Sequence, residues 1–195
     1  MPFRYGILTQ RKEVAVLSKT RSLIFSALFA ALTAAGAMIR IPLPPSYFTL
    51  QFFCTAMAGV LLGPVYGPVS QLVYLLLGLF GLPVFASGGG FSYLLQPTFG
   101  FLLGSVAAAW LIGRLTRKVL TSRRIVLACL SGLTLLYAIG IAYLLIIYKW
   151  CLHSTQPPVS LVAAVTLPFL PFDAVKILVC AVLCPRLAAH LGRMS

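Results

Sequence analysis

The stretch SLIFSALFAALTAAGAMI, residues 22–39, contains no charged side chain over 18 residues. As an α-helix it rises about 27 Å, close to the thickness of a bilayer's hydrocarbon core. Further apolar runs follow at about 48–62, 69–82, 96–113 and 125–149, and a last apolar stretch over 159–190 is broken by Pro168 and Pro171. No soluble architecture buries this many uninterrupted apolar segments in one short chain. Composition agrees: 61% of the 195 residues are hydrophobic and 9% are charged, against about a quarter charged in soluble domains. The first run is longer than a signal peptide's apolar region and is followed by more spans, so it reads as a first helix that stays in place. The expectation is an all-α membrane protein with six transmembrane helices, the sixth starting near 171 after a short approach segment over 159–170. Residues 1–21 form a basic tail and 22–190 a six-helix transmembrane substrate-binding domain.

The connections differ in character. RIPLPPSY, 40–47, is a proline-rich break, and GPVYGP, 63–68, is a tight turn. LPVFASGGGFSYLLQPTFG, 82–100, is a glycine-rich loop between apolar walls, whereas RLTRKVLTSRR, 114–124, is strongly basic. The net charge of +13 could suggest nucleic acid, but the basic residues flank apolar runs and no recognition module is present. Their distribution is a topology signal. Twelve of the 15 Lys and Arg residues fall in the N-terminal tail, the 114–124 connection and the C-terminal end, and only Arg40 and Lys149 fall on the opposite side. The positive-inside rule then puts both termini in the cytoplasm, in a multi-pass protein of the cell (plasma) inner membrane. Trp110 and Trp150 near span ends suit an aromatic belt.

Enzyme chemistry is poorly supplied. Asp173 is the only aspartate and Glu13, in the basic tail, the only other acid. No Ser-His-Asp set can be built, and neither GxxxxGK[ST] nor HExxH occurs. Five cysteines are scattered without a CxxC, and Cys180 with Cys184 on one helix face lacks the His or acid that would complete a metal site. His153 and His190 stand alone near segment ends. The expectation is a non-enzyme with no metal and no cofactor of its own.

Asp173 and Lys176 stand three apart inside LPFLPFDAVKILVCAVLC, 167–184. A charge at the bilayer centre costs about 2.5–3.5 kcal/mol, so both must face the protein interior, where they can partner one another. Pro171 suits the first turn of a helix, whose positive end would hold Asp173. Such a pair either locks helix six to its neighbours or lines a polar site; ionisable groups within spans usually mark a substrate path. In the 82–100 loop, Ser87, Gly88, Gly89 and Gly90 let the backbone approach a ligand, and Phe85, Phe91 and Tyr93 supply flat walls. That loop is otherwise an ordinary extracellular connection. Ala27, Ala31 and Ala35, at spacing four on the first helix, either pack within the protein or form a docking stripe for a partner's helix.

Residues 61–104, LLGPVYGPVSQLVYLLLGLFGLPVFASGGGFSYLLQPTFGFLLG, closely resemble the BioY family, the biotin-binding S components of energy-coupling factor (ECF) transporters. LPFLPFDAVKILVCAVL at 167–183 and TLQ at 49–51 resemble the same family, and the likeness spans about 20–190. It implies six helices with cytoplasmic termini and capture of biotin from outside. Transport would be driven by a separate T component and two ATPases, so that ATP enters only through partners, although some family members lack a dedicated module. The resemblance implies a site near the outer face holding Asp173 and Lys176, covered by the 85–96 loop, and makes Ala27, Ala31 and Ala35 the T-component docking face. Gln51, Tyr74, Phe85, Ser87, Gly88, Gly89, Tyr93 and Gln96 complete the expected binding set, with Tyr74, Phe85 and Tyr93 flanking the ligand rings. Biotin's ureido ring could meet the Asp–Lys pair, or Lys176 could meet its carboxylate. The chain departs from the usual GPTGGY and Pro-Gly-Asp at QPTFGF (Gln96, Phe99, Phe101) and at Pro171-Phe172-Asp173. The other readings are an S component for a different vitamin and a structural membrane subunit whose pair only pins helices; the sequence is also compatible with self-association.

Overall fold

The protein is described here by a computed structural model covering the backbone of residues 3–43, 46–150 and 158–191, and side chains within 19–42, 47–149 and 159–189. Glu13, Trp150, His153 and His190, singled out above, lie outside the described side chains.

Helix α1, Phe3–Met38, carries the basic tail and the first apolar run as one helix. The proline-rich segment after it is a β-hairpin, not an irregular break. Strands β1 (Arg40–Leu43) and β2 (Ser46–Thr49) pair antiparallel, with Arg40 opposite Thr49 and Leu43 opposite Ser46. Proline tolerates this because a two-stranded ribbon is all edge, so a missing N–H can face outward, and the residue before a proline is already biased to extended backbone.

Helix α2, Gln51–Leu79, is two helical arms folded at one residue. Gly63 has φ 76° and ψ −169°, and Pro64 follows it; proline is preorganised to open a helix. In a straight helix residues 55 and 71 would be about 24 Å apart. Here the Thr55 hydroxyl donates to Gln71 Oε1 at 3.0 Å, and Gly67 lies against the backbone of Ala58 and Gly59. The arms, 51–62 and 64–79, are therefore antiparallel, and the expected six-residue turn over 63–68 is compressed to a single glycine. A side chain at Gly67 would crowd the backbone of the facing arm, and one at Gly113 would collide with the Gly63 carbonyl.

The rest of the chain follows the hydropathy pattern. A short 3₁₀ turn, Phe91–Leu95, interrupts the glycine-rich loop before α3, Phe99–Thr116. Then come α4 (Ser122–Trp150), a short α5 (Pro158–Thr166) and α6 (Leu170–Leu191). Five stretches of the described residues are long and apolar enough to cross a membrane, the α2 hairpin counting as one of them. Large apolar side chains such as Ile24, Leu28, Leu72, Leu127, Leu178 and Val182 are exposed on the outside of the bundle. That surface would aggregate in water and is the expected one against lipid.

Two apolar cores hold the bundle. One joins the first arm of α2 with α3, α4 and α6 through Leu62, Ile112, Ile125, Cys129 and Cys180. The other gathers Ala30, Tyr74, Phe85, Tyr93 and Phe99 beneath the glycine-rich loop. Between them a buried polar knot ties three segments. Gln71 Nε2 donates to Thr33 Oγ1 of α1 and to Ser70 Oγ, each at 3.2 Å, while its oxygen accepts from Thr55. All four side chains are fully buried, and each therefore requires these partners.

A candidate ligand cavity built around an Asp–Lys pair

The break between α5 and α6 at 167–169 sets Asp173 in the first turn of α6, its N–H donating to the Phe169 carbonyl at 2.9 Å. The positive end of α6 thus lies under the carboxylate. One turn later, Lys176 Nζ donates to Asp173 Oδ1 at 2.8 Å. Both side chains are buried, at 5% and 8% exposure. The second carboxylate oxygen, Oδ2, accepts from the Tyr137 hydroxyl of α4 at 2.9 Å. On its other side the Lys176 ammonium lies 4.4 Å from the centre of the Phe48 ring on β2, and Phe48 packs on Phe172 at 4.8 Å. The pair is thereby closed off on the side of the hairpin by an apolar cap, which strengthens its electrostatics.

On its other face the pair borders a cavity of about 350 Å³, within the range of small-molecule sites. The hairpin contributes Tyr47 and Thr49, the first arm Gln51, Phe52 and Thr55, and the loop Ala86, Ser87, Tyr93, Gln96 and Thr98. Helix α3 adds Phe101, Leu102 and Ser105, and α4 adds Leu136 and Tyr137. Val165 and Phe169 close the wall beside Asp173 and Lys176. Apolar walls with a few fixed donors and acceptors suit a small, partly polar, partly cyclic molecule.

Of the expected residues, Asp173, Lys176, Gln51, Ser87, Tyr93 and Gln96 line the cavity. Tyr74, Phe85, Gly88 and Gly89 do not; they build the seat of the loop. The Phe85 ring rests on Gly78, leaving no room for a side chain there. Phe85 and Gly88 exchange backbone hydrogen bonds at 2.9 and 3.2 Å, and Gly90 N–H reaches the Gly78 carbonyl at 2.7 Å. The Tyr74 hydroxyl donates to the Val84 carbonyl at 3.1 Å, and that of Tyr143 to the Leu94 carbonyl. Gly89 lies against the Leu82 and Gly78 carbonyls where a Cβ would clash. Tyr74 and Phe85, expected beside ligand rings, stand behind the cavity wall: their rings continue a buried stack, Tyr74–Phe85–Tyr93–Phe99–Tyr143, with centroids 5.5, 4.6, 6.5 and 5.8 Å apart. Only Tyr93 of the three reaches the cavity. The Arg40 guanidinium donates to the Ala86 carbonyl, joining the β-hairpin to the loop over the site.

The departures in QPTFGF and Pro-Phe-Asp have definite places. Gln96 and Phe101 line the cavity, Phe99 is buried in the ring stack, and Phe172 turns outward onto Phe48. Phe172 therefore does not fill the space beside Asp173. Sequence reading missed Tyr137, Thr55, Tyr47 and Phe169. Tyr137 carried a usable signal: it lies in the most apolar span, of mean hydropathy 2.3, where a hydroxyl needs a partner. Ala27, Ala31 and Ala35 are exposed along one side of α1, whereas Ala30 is buried and Ala34 packs inward.

Fold and site define a polytopic, mostly helical membrane protein that carries a small-molecule cavity with one buried ion pair. The BioY family matches residues 9–193, and the chain belongs to that family. It is similar to the probable biotin transporter BioY of Lysinibacillus sphaericus, 50% identical over 127 residues, covering 64% of this chain and 65% of that protein. It is also similar to the biotin transporter BioY of Thermotoga maritima, 38% identical over 168 residues, covering 86% of this chain and 95% of the other. Among solved structures it is similar to the S component for biotin from an ECF-type ABC transporter, with TM-score 0.75 and 28% identity, covering 88% and 92% of the two chains.

Proposed function

We propose that this protein is the membrane-embedded subunit that captures biotin for uptake, the S component of an ECF-type transporter. The observation that carries the reading is the cavity itself: the one aspartate of the chain and Lys176 are turned into it together. A pair that served only to pin helices would not need a hollow at its side. Biotin offers a ureido ring with N–H donors and a carbonyl acceptor, an apolar thioether ring and an anionic tail. Asp173 accepts from a ureido N–H, Lys176 donates to the ureido oxygen, and Tyr93 and Phe101 flank the rings. The relatives named as biotin transporters favour this ligand over another vitamin.

The antiparallel arms of α2 enter and return on the same side and count as the second and third of six membrane helices. The clustering of basic residues in the tail, the 114–124 connection and the C-terminal end puts both termini in the cytoplasm. The hairpin, the glycine-rich loop and the entry to α6 then lie together on the outer side, so the cavity loads from outside. Energy comes from ATPases through a T component that meets α1 at Ala27, Ala31 and Ala35.

Equilibrium binding to the purified protein tests the reading. Biotin should bind tightly, and Asp173→Asn should weaken it by about a hundredfold, since an ionic hydrogen bond is lost and Lys176 is left uncompensated. Unchanged affinity in that variant, or tighter binding of a different vitamin, would overturn it.

A further inference from the structure

Within the triad at the head of α6 the hydrogen-bonding directions are fixed by chemistry. An ionised carboxylate only accepts and an ammonium only donates, whereas a phenol does one of each. Asp173 Oδ1 is engaged by Lys176 at 2.8 Å and Oδ2 by Tyr137 at 2.9 Å. The single Tyr137 proton is thus committed to Asp173, and the phenol oxygen keeps its lone pairs. Tyr137, Asp173 and Lys176 all border the cavity. The wall therefore presents two neighbouring acceptors, Tyr137 Oη and Asp173 Oδ2, beside one donor, Lys176 Nζ. A cyclic urea carries partners for both kinds of group, N–H donors for the acceptors and a carbonyl oxygen for the ammonium.

Tyr137 also restrains the carboxylate. Asp173 and Lys176 share one helix, so their contact alone leaves the carboxylate able to turn about Oδ1. Tyr137 comes from α4, and its ring is held edge-on by Phe101, with centroids 5.9 Å apart at 87°. Phe101 is itself packed on Gly140 of α4, where a side chain would collide with its ring. The restraint thus comes from a rigid wall built by α3 and α4.

We propose that Tyr137 is a positioning and specificity-determining residue. It fixes the Asp173 carboxylate and adds a second acceptor beside it, so that the site selects ring N–H donors over N-substituted analogues. This deepens the biotin reading and rests on it.

The test measures binding of biotin and of biotin methylated at both ureido nitrogens to the full chain in nanodiscs. Wild type should prefer biotin by at least about tenfold. Tyr137→Phe should weaken biotin by about tenfold and barely change the methylated ligand, with an unaltered melting temperature. In an Asp173→Asn background the same substitution should add little, because the group it positions is gone. Asp173 is the chain's only aspartate, so a ¹³C-carboxyl aspartate label gives one resonance, which should shift on biotin binding and shift differently in Tyr137→Phe. Equal loss for both ligands, or losses that simply add with Asp173→Asn, would mean a merely structural role and overturn the proposal. So would wild-type protein that binds both ligands equally, which decides the matter even if Tyr137→Phe fails to fold. Wild-type protein that does not bind biotin at all would instead remove the underlying reading.

Discussion

Lys176 of α6 and Phe48 of β2, 128 residues apart in sequence, meet with the ammonium 4.4 Å from the ring centre. The hairpin beyond α1 is thereby tied to the charge in the cavity wall. A desolvated contact of this kind stabilises by about 1–2 kcal/mol. Phe48→Leu keeps an apolar cap and removes the ring. The folded protein should lose about that 1–2 kcal/mol, read as a lower melting temperature, and biotin should bind more weakly because the Lys176 ammonium is held less firmly; calorimetry and a thermal melt on the same sample check both.

Gly63→Ala should be severe. A φ of 76° with ψ of −169° is a conformation essentially confined to glycine, costing about 1–3 kcal/mol for other residues. The close approach of Gly113 to the Gly63 carbonyl leaves no slack for the turn to relax. The expected result is a sharply reduced monodisperse peak in size exclusion and a lowered melting temperature.

Gln71→Leu separates stability from binding. It removes the bonds to Thr33, Ser70 and Thr55, but Thr33 and Ser70 keep the carbonyls of Phe29 and Gly67, and the Thr55 proton can turn to the Gln51 carbonyl. Side-chain hydrogen bonds within membranes contribute about 0.6–1.7 kcal/mol, so destabilisation of about 1–2 kcal/mol is expected. Gln71 does not line the cavity, so biotin affinity should stay within about threefold of wild type.

Leucine at Ala27, Ala31 and Ala35 together should leave biotin binding intact, because these positions are exposed on α1. Uptake of labelled biotin by cells should be abolished, since close helix approach needs small residues. Normal uptake would place the partner on another face.

Hydropathy alone located the helices, because a hydrocarbon solvent forces apolar runs to be helical. The lone aspartate and its lysine were legible for the same reason: buried charge in lipid must face inward. The β-hairpin was not legible, since Pro42 reads as a helix stop and its tolerance in an edge ribbon depends on a partner strand. Tyr74 and Phe85 had the right composition for ligand walls, but sequence does not say which side of a loop faces the cavity and which faces Gly78. Tyr137 escaped because its partner is Asp173, on a different helix. The six-residue GPVYGP signal marked the reversal in α2, but one residue performs it.

That single-residue reversal constrains how the chain is made. The first arm, 51–62, spans about 18 Å as a helix, well short of a 30 Å hydrocarbon layer, and no polar linker lets it wait for its neighbour. The ribosome must therefore deliver both arms before either can settle in the bilayer. Residues 51–79 are therefore expected to leave the translocon as one wedge, after α1 and before α3.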